Sequence, residues 1–288
     1  MNTIALAKTY TGLLDEVYQQ SALTAVLESD ATLARAGANA NEIVIPKLSM
    51  DGLADYDRNS GYTGGKVDLS WETVKFNYER GRSFLVDNMD NEETQNIAFG
   101  RLAGEFIRTK VVPELDAFRF ATYAGIEGVG SATGALATGE AVIGALRTAT
   151  SEMDEAEVPM EDRHLFITPT LLGLVQDLDT IKSKEVLSRF ASITKVPQTR
   201  FYSAIELLDG KSSGEEKGGF KKATAGVELN FEIVHKPAVL QFTKHAVPKI
   251  ISPEVNQDAD AWKYGYRNYG LCDAYENKAA GIYIHKKA

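Results

Sequence analysis

Cysteine is nearly absent from this 288-residue chain: Cys272 is the single one. One thiol closes no internal disulfide and fits a reducing compartment. It sits in the strand-like run Tyr269 to Tyr275, where a free cysteine reads as a small buried hydrophobe rather than a nucleophile. Long apolar runs are missing as well, so no segment is expected to span a membrane. The start, Met1-Asn2-Thr3-Ile4, has neither the basic opening nor the apolar core of a signal peptide. Positive charge is in deficit, with 31 Lys and Arg against 40 Asp and Glu for a net charge of −9. That argues against tight nucleic-acid binding, which needs a basic face. The doublets Lys221-Lys222 and Lys286-Lys287 are too short to supply one, and read as solvated surface.

Motifs for chemistry are equally scarce. Gly61-Tyr-Thr-Gly-Gly65-Lys66-Val67 approaches a phosphate loop, but Ser60 stands where the first glycine is needed and Val67 where Ser or Thr is needed. Gly128 to Gly134 has one residue too many for a dinucleotide fingerprint and follows a helix. Ser192-Ile-Thr-Lys195 matches a bare Ser-x-x-Lys pattern without the partner elements of penicillin-recognising enzymes. His164, His235, His245 and His285 are scattered, with no pair at metal-ligand spacing. Glu92-Glu93 reads as helix-dipole chemistry. Asn256, Asp258 and Asp260 lack the glycine and closing glutamate of a calcium loop. No active site, metal or cofactor is expected.

What is present is architecture. With 44% hydrophobic and 25% charged residues, the composition is that of a soluble globular chain of one large or two modest domains. Leu14, Val17, Tyr18, Ala22, Ala25 and Val26 form a helical stripe set apart from the rest. Ile43 to Leu48 reads as a short strand, and Asp51 to Gly65 as loop. Val67, Leu69 and Trp71 alternate with polar neighbours, as do Val74, Phe76 and Tyr78. The parity change predicts a bulge or twist near Thr73. A turn at Glu79-Arg80-Gly81-Arg82 would return the chain through Phe84 and Val86. One helix is predicted from Glu92 to Tyr123, about 48 Å long at 1.5 Å per residue, with Pro113 in its interior as a kink. Its stripes are Phe99, Leu102, Ala103, Phe106, Ala117 and Phe120, and Ile107, Val111, Leu115 and Phe118. A long hairpin is marginal alone in water. No nearby segment looks able to cover it, and another copy of the chain could.

Gly125 to Gly139 reads as a boundary. A compact α/β region follows to about Val227, with Thr138 capping a helix, a strand at His164 to Ile167, and Thr168-Pro169 opening the next helix. Gly210 to Gly219 reads as a mobile surface loop. Beyond Phe231 the chain is strand-rich and aromatic.

This order resembles the major capsid protein of tailed bacteriophages, with the Hong Kong 97-type fold, an α+β class. The local likenesses are Arg80-Gly81-Arg82-Ser83-Phe84 with Asp87, Val112-Pro113-Glu114-Leu115-Asp116, Val158-Pro159 to Pro169, His235 to Val239, Asn256 to Trp262, and Asn277 to Tyr283. The resemblance implies an N-terminal arm at 1–45, an extended hairpin loop at 46–90 over a neighbouring subunit, and a spine helix of the peripheral domain at 91–123. It implies an axial domain at 124–230 and a strand-rich return to the peripheral domain at 231–288. Lys66, Trp71, Phe76, Arg80, Arg82 and Pro113 become candidate subunit contacts. The chain begins directly at the arm, which implies a separate scaffolding protein. The other implied partners are the chain itself in hexamers and pentamers, a portal, and packaged DNA held in sequence-independent proximity. The implied location is the virion capsid, with the host cytoplasm during assembly. Some relatives link a hairpin lysine to a neighbour's asparagine. Lys66 with Asn256, Asn268 or Asn277 would be the counterparts, but the expectation is a solvated lysine and shells that release single chains of 31.4 kDa. Two alternatives remain: an encapsulin-like nanocompartment shell of the same fold, and a small-molecule α/β enzyme built on Gly139 to Val227.

Overall fold

The computed structural model describes residues 22–29, 35–36, 41–93, 102 and 104–288. Thirteen strands in this set form four sheets. The first holds β1 (Arg35–Ala36), β2 (Glu42–Met50) and β3 (Val67–Lys75), in that order and antiparallel. The second joins β4 (Tyr78–Asp87) to two later strands, β11 (Val239–Ile251) and β12 (Ala261–Ala274), in the order β11-β12-β4. The third is the five-stranded centre. It contains β5 (Gly130–Thr133), β6 (Arg163–Ile167), β7 (Ser192–Lys195), β10 (Leu229–His235) and β13 (Ile282–Lys286), ordered β5-β13-β10-β6-β7. A small pair, β8 (Ile205–Leu207) and β9 (Phe220–Lys222), makes the fourth.

The hairpin is real, but its partners differ from those predicted. β3 pairs with β2, twenty-odd residues upstream, in a continuous register from Glu42 opposite Lys75 to Met50 opposite Val67. No bulge interrupts it at Thr73. The break comes at Phe76-Asn77, where the chain leaves one sheet and enters the next as β4. Glu79 to Arg82 is therefore not a turn. It is strand, paired residue by residue with Asn268 to Tyr266 and their neighbours on β12. Gly81 is required there by close approach: a Cβ would lie 2.8 Å from the Tyr266 carbonyl oxygen.

Helix α1 (Asn88–Glu93) follows β4. Part of the predicted long helix, 94–101 and 103, with Phe99 and Ala103, lies outside the described residues. Helical backbone from 104 onward widens into a π-turn at Ile107–Val111 and continues as α2 (Val112–Ala124). Pro113 stands in the first turn of α2, inside this unbroken helical run. A proline has no N–H to offer the preceding turn, which explains the π-turn at that point. α2 buries Ala117, Phe120 and Tyr123 between the two larger sheets.

The α/β region follows the sequence closely. α3 (Gly139–Glu155) opens at Thr138, whose hydroxyl accepts the Ala141 N–H at 3.2 Å. α4 (Pro169–Asp177) and α5 (Ile181–Leu187) pack with α3 on one face of the central sheet. Val142, Leu146, Ala149 and Met153 of α3 meet Leu165, Ile167, Phe231 and Ile233 in one apolar cluster. On the sheet's other face Phe120 and Tyr123 meet Phe166, Val234, Ile282 and Ile284. A sheet covered on both sides needs strands that are apolar throughout, and every residue of β6 and β10 is buried.

Two predicted boundaries change. The cut at 230/231 falls inside β10, and β13 returns to the central sheet beside β5 instead of closing the β4-β11-β12 sheet. The N-terminal segment is not detached over its described part. A 3₁₀ turn at Leu23–Leu27 buries Leu27 and Thr24 in the chain's own core. Residues 1–21, with Leu14, Val17 and Tyr18, lie outside the described set.

Candidate functional site: an uncovered hairpin and a cation-rimmed groove

The β2-β3 hairpin changes its covered face along its length. Near its base, Ile43, Ile45 and Val74 are buried against Leu240, Phe242 and Leu271 of the β11-β12 pair. Side chains alternate along a strand, so these occupy one face. Beyond the base, Ser49, Asp68 and Ser70 on that face are exposed. The opposite face then carries Leu48 beside Leu69 and Met50 beside Val67, each a direct cross-strand pair, with Trp71 next along β3. All five are exposed: Leu69 54%, Leu48 55%, Met50 64%, Val67 71%, Trp71 47%. The parity change read near Thr73 thus marks a switch from the face that meets the chain's own core to one whose apolar side chains are exposed. Contiguous apolar surface of this kind marks an interaction site.

The loop at the tip extends the patch. Leu53 is fully exposed, and Tyr56 and Tyr62 form an edge-to-face ring pair, centroids 4.9 Å apart, also in solvent. The loop has internal order: Asp57 accepts the Asn59 N–H at 2.9 Å and the Ser60 hydroxyl at 2.6 Å, which holds its carboxyl below the usual range. Lys66 closes the loop through its backbone, its N–H donating to the Asp51 carboxylate at 2.7 Å, while its side chain is exposed. Of the asparagines considered for Lys66, Asn268 is buried and the Asn256 amide donates to the Ala261 carbonyl at 2.9 Å. Asn277 is exposed.

The other candidate contacts divide differently. Phe76 stacks on Tyr269 at 4.7 Å with Lys244 Nζ 5.0 Å from its ring, so its partners are in its own chain. Arg80 is a clamp. Its Nε donates to Glu114 Oε1 at 2.7 Å, and its Nη2 donates to the carbonyls of Leu208 at 2.7 Å and Gly219 at 3.3 Å. Tyr78 hydroxyl donates to the same Glu114 oxygen at 3.3 Å, and burial pushes that phenol well above its ordinary value. Arg82 Nη2 donates to the Glu216 carbonyl at 2.9 Å. Gly210 and Gly218, both at positive φ, let the 208–219 loop close over it, since a Cβ at either would lie within 3.0 Å of Arg82 Nη1. Read from sequence as mobile, this loop is held by Asp209, which accepts from Lys211 N, Ser212 N and Ser212 Oγ and so titrates near 2.

Between β4, the π-turn and this loop lies a groove of about 1020 Å³ with Pro113 on its wall. Sequence reasoning missed it, because its walls come from segments as far apart in the chain as Tyr78 and Asn268. It also missed the buried network on α2. Asp116 Oδ1 accepts the Thr24 hydroxyl at 2.8 Å, and Oδ2 accepts from Arg200 Nη1 at 3.0 Å. The Gln241 amide donates to the Thr24 carbonyl at 2.8 Å and accepts from the Tyr123 hydroxyl at 2.9 Å. This fastens residues 23–28 to α2 and β11. The last unforeseen group is Glu232 on β10, wholly buried with no hydrogen-bond partner at either carboxyl oxygen. Burial holds that carboxyl far above its ordinary value, and it pushes the nearby Cys272 thiol up to about 12. Among the described residues no group of three His, Cys, Asp or Glu is placed to hold a metal, and no helix is long and apolar enough to cross a membrane.

An α+β protomer with a spine-like helix, a doubly covered central sheet and a long hairpin projecting from a second sheet has the fold of Hong Kong 97-type capsid shells. A chain in the capsid structure of the cyanophage P-SCSP1u matches it with a TM-score of 0.64 at 13% identity, over 98% of this chain and 93% of that one. The capsid of the Myoviridae phage XM1 matches with 0.57 at 12% identity over the full length of both chains. A virus-like particle from Pyrococcus furiosus matches with 0.55 at 10% identity, over 92% of this chain and 96% of the other. No protein-family model matches the sequence, and no curated protein does.

Proposed function

We propose that this chain is a major capsid protein, which self-assembles into pentamers and hexamers that close into the icosahedral head of a tailed bacteriophage around its double-stranded DNA. The observation that carries this reading is the hairpin: five cross-strand apolar side chains and an aromatic tip held away from the protomer's own core. Such a surface destabilises nothing in an assembly that covers it, and invites aggregation in a monomer that does not. In this reading the β2-β3 hairpin is the extended loop, α2 with the β4-β11-β12 sheet is the peripheral part, and the α/β region gathers at the symmetry axes. The net charge of −9 suits a shell wall with no sequence-specific hold on nucleic acid. A scaffolding protein, a portal, assembly in the host cytoplasm and final residence in the virion belong to the same proposal.

Electron microscopy of the purified protein, expressed alone and with a scaffolding protein from its gene neighbourhood, tests it. Closed shells are the expected result; a monomer under both conditions overturns it. An encapsulin-like shell shares the fold, and terminase and portal genes beside this one distinguish the two. The enzyme alternative would need converging polar groups in a cavity. The groove's acids are instead engaged within the chain: Glu114 with Arg80, Glu105 with Arg108, and Asp209 with Lys211 and Ser212.

A further inference from the structure

Three of the four histidines are buried, and two of them stand at one end of the central sheet. His164, second residue of β6, lies opposite Val234 of β10 and Ser192 of β7, while His235 closes β10 opposite Arg163. Opposite residues share a face and successive ones alternate. His164 is therefore on the face that α2 covers, with Val234, and His235 is on the face of α3, whose Asp154 pairs with Arg163. The edge strand beside them, β7, is four residues long and paired on one side only. Its Ser192, the serine of the bare Ser-x-x-Lys pattern, has His164 as its partner.

Both rings are placed to refuse a second proton. His164 Nδ1 and the Ser192 hydroxyl oxygen are 2.7 Å apart, and His164 Nε2 is buried without a hydrogen-bond partner. A neutral ring can leave Nε2 as a bare acceptor, but an imidazolium carries an N–H there with nothing to receive it. His235 is hemmed in by Gly281, where a Cβ would come within 3.4 Å of the histidine's own Cβ. The charges around the pair are mostly positive. Lys236 opposes a proton on His164, Arg163 and Lys278 oppose one on His235, and Asp162 favours both. Asp154 is already engaged by Arg163 at 2.7 Å. Burial, helped by these cations, holds both imidazoles below their ordinary value.

We propose that His164 and His235 form an acid-sensitive latch: protonation of the pair frees the edge strand β7 and the 158–163 turn, while the rest of the central sheet stays closed. The turn belongs to the same unit, since Arg163 Nε donates to the Pro159 carbonyl at 2.8 Å and the Ala191 N–H to the Arg163 carbonyl at 2.8 Å. The sign follows from linkage. The open state takes protons that the closed state refuses, so the latch holds fully above the unfolded histidine value of 6.5 and weakens as pH falls below it. Glu232 titrates in the opposite sense, so the readout has to be local and not the global stability. The latch is a property of the single chain and stands or falls apart from the shell reading.

Amide hydrogen exchange of the full-length chain at about pH 7.5 and about pH 5, corrected for the intrinsic pH dependence of exchange, tests this. Protection of residues 192–196 should fall by about tenfold or more at the acid pH, while β5 and β13 at the other edge keep theirs. His164→Gln with His235→Gln should flatten the response. His285→Gln should leave it in place, because His285 lies at the far end of β10, opposite Phe231 and 3.0 Å from the Asn230 amide. Loss of protection spread evenly over every strand, or none at β7, overturns the latch. So does a local loss that the double variant retains or that His285→Gln abolishes. Where the double variant does not fold, the wild type decides: ring signals of His164 and His235 followed by NMR should titrate with the same midpoint as the loss of β7 protection. Rings that take up protons while β7 stays protected contradict the proposal.

Discussion

Strands β3 and β10 are both rich in apolar residues, yet one is finished by its own chain and the other is not. All seven residues of β10, Leu229 to His235, are buried, with α3 on one face and α2 on the other. Of the nine residues of β3, only Val74 is buried. Burial depends on what the fold brings to a strand, not on the strand's own hydrophobicity. β10 has strand neighbours on both edges and helices on both faces. β3 has β2 on one edge and, past its base, side chains that stay largely exposed. The protomer's interior is complete at β10, and its apolar surface stays exposed at β3.

The interior half of the comparison breaks most severely at Asp116. Asp116→Ala leaves Arg200, itself buried, without its carboxylate and frees the Thr24 segment. Removing one partner of a buried ion pair costs about 3–5 kcal/mol, so the denaturant midpoint of the protomer should fall steeply. A change below about 1 kcal/mol would show the network to be dispensable.

β10 also holds the one group that opposes its own burial. Glu232 is protonated in the folded chain because burial raises its carboxyl well above the unfolded value of 4.5. Its contribution to stability is therefore fully present below the unfolded value and is lost as pH rises towards the folded one. The limiting slope is about 1.4 kcal/mol per pH unit between those two values. Glu232→Gln should remove that slope, so the variant gains on the wild type as pH increases. Urea titrations from acid to mildly alkaline pH read this directly, and parallel curves for the two proteins would contradict it.

The hairpin should behave in the opposite sense. Leu48→Ser, Leu69→Ser and Trp71→Ser should each change protomer stability by no more than about 0.5 kcal/mol, the range for exposed positions, while combined they abolish particles. Large losses of protomer stability would mean that the face is already covered within the chain. The smallest effect is expected at Lys66. Lys66→Ala should leave the protomer unchanged, and wild-type shells should run as single chains on a denaturing gel. Multimer ladders that vanish in the variant would reverse this.

Local signals were legible in the sequence. Thr138, Thr168-Pro169 and the spacing of Val142, Leu146 and Met153 sufficed for α3, β6 and the start of α4, because caps and helical periods act within a few residues. Pairing was not legible. Nothing near Arg80-Gly81-Arg82 states that β12, nearly two hundred residues later, lies alongside, and without that partner a glycine between arginines reads as a turn. The parity change at Val74 was visible, but its cause, a change of covered face, needed the position of β11. Phe76 and Arg80 read as contacts for a neighbour because their own partners, Tyr269 and Glu114, arrive from distant segments. Glu232 was hidden by its strand, since an acid in a run expected to alternate raises no alarm.

Covering of the hairpin by another copy is the central claim, and Trp71 reports on it. The chain has two tryptophans, Trp71 and Trp262. In a Trp262→Phe variant all tryptophan emission comes from the exposed face of β3. Emission spectra of the protomer and of purified particles, taken side by side, should show a clear blue shift and lower acrylamide quenching on assembly, as the indole leaves water. Closed particles whose emission stays at the protomer's wavelength, with unchanged quenching, would contradict the account.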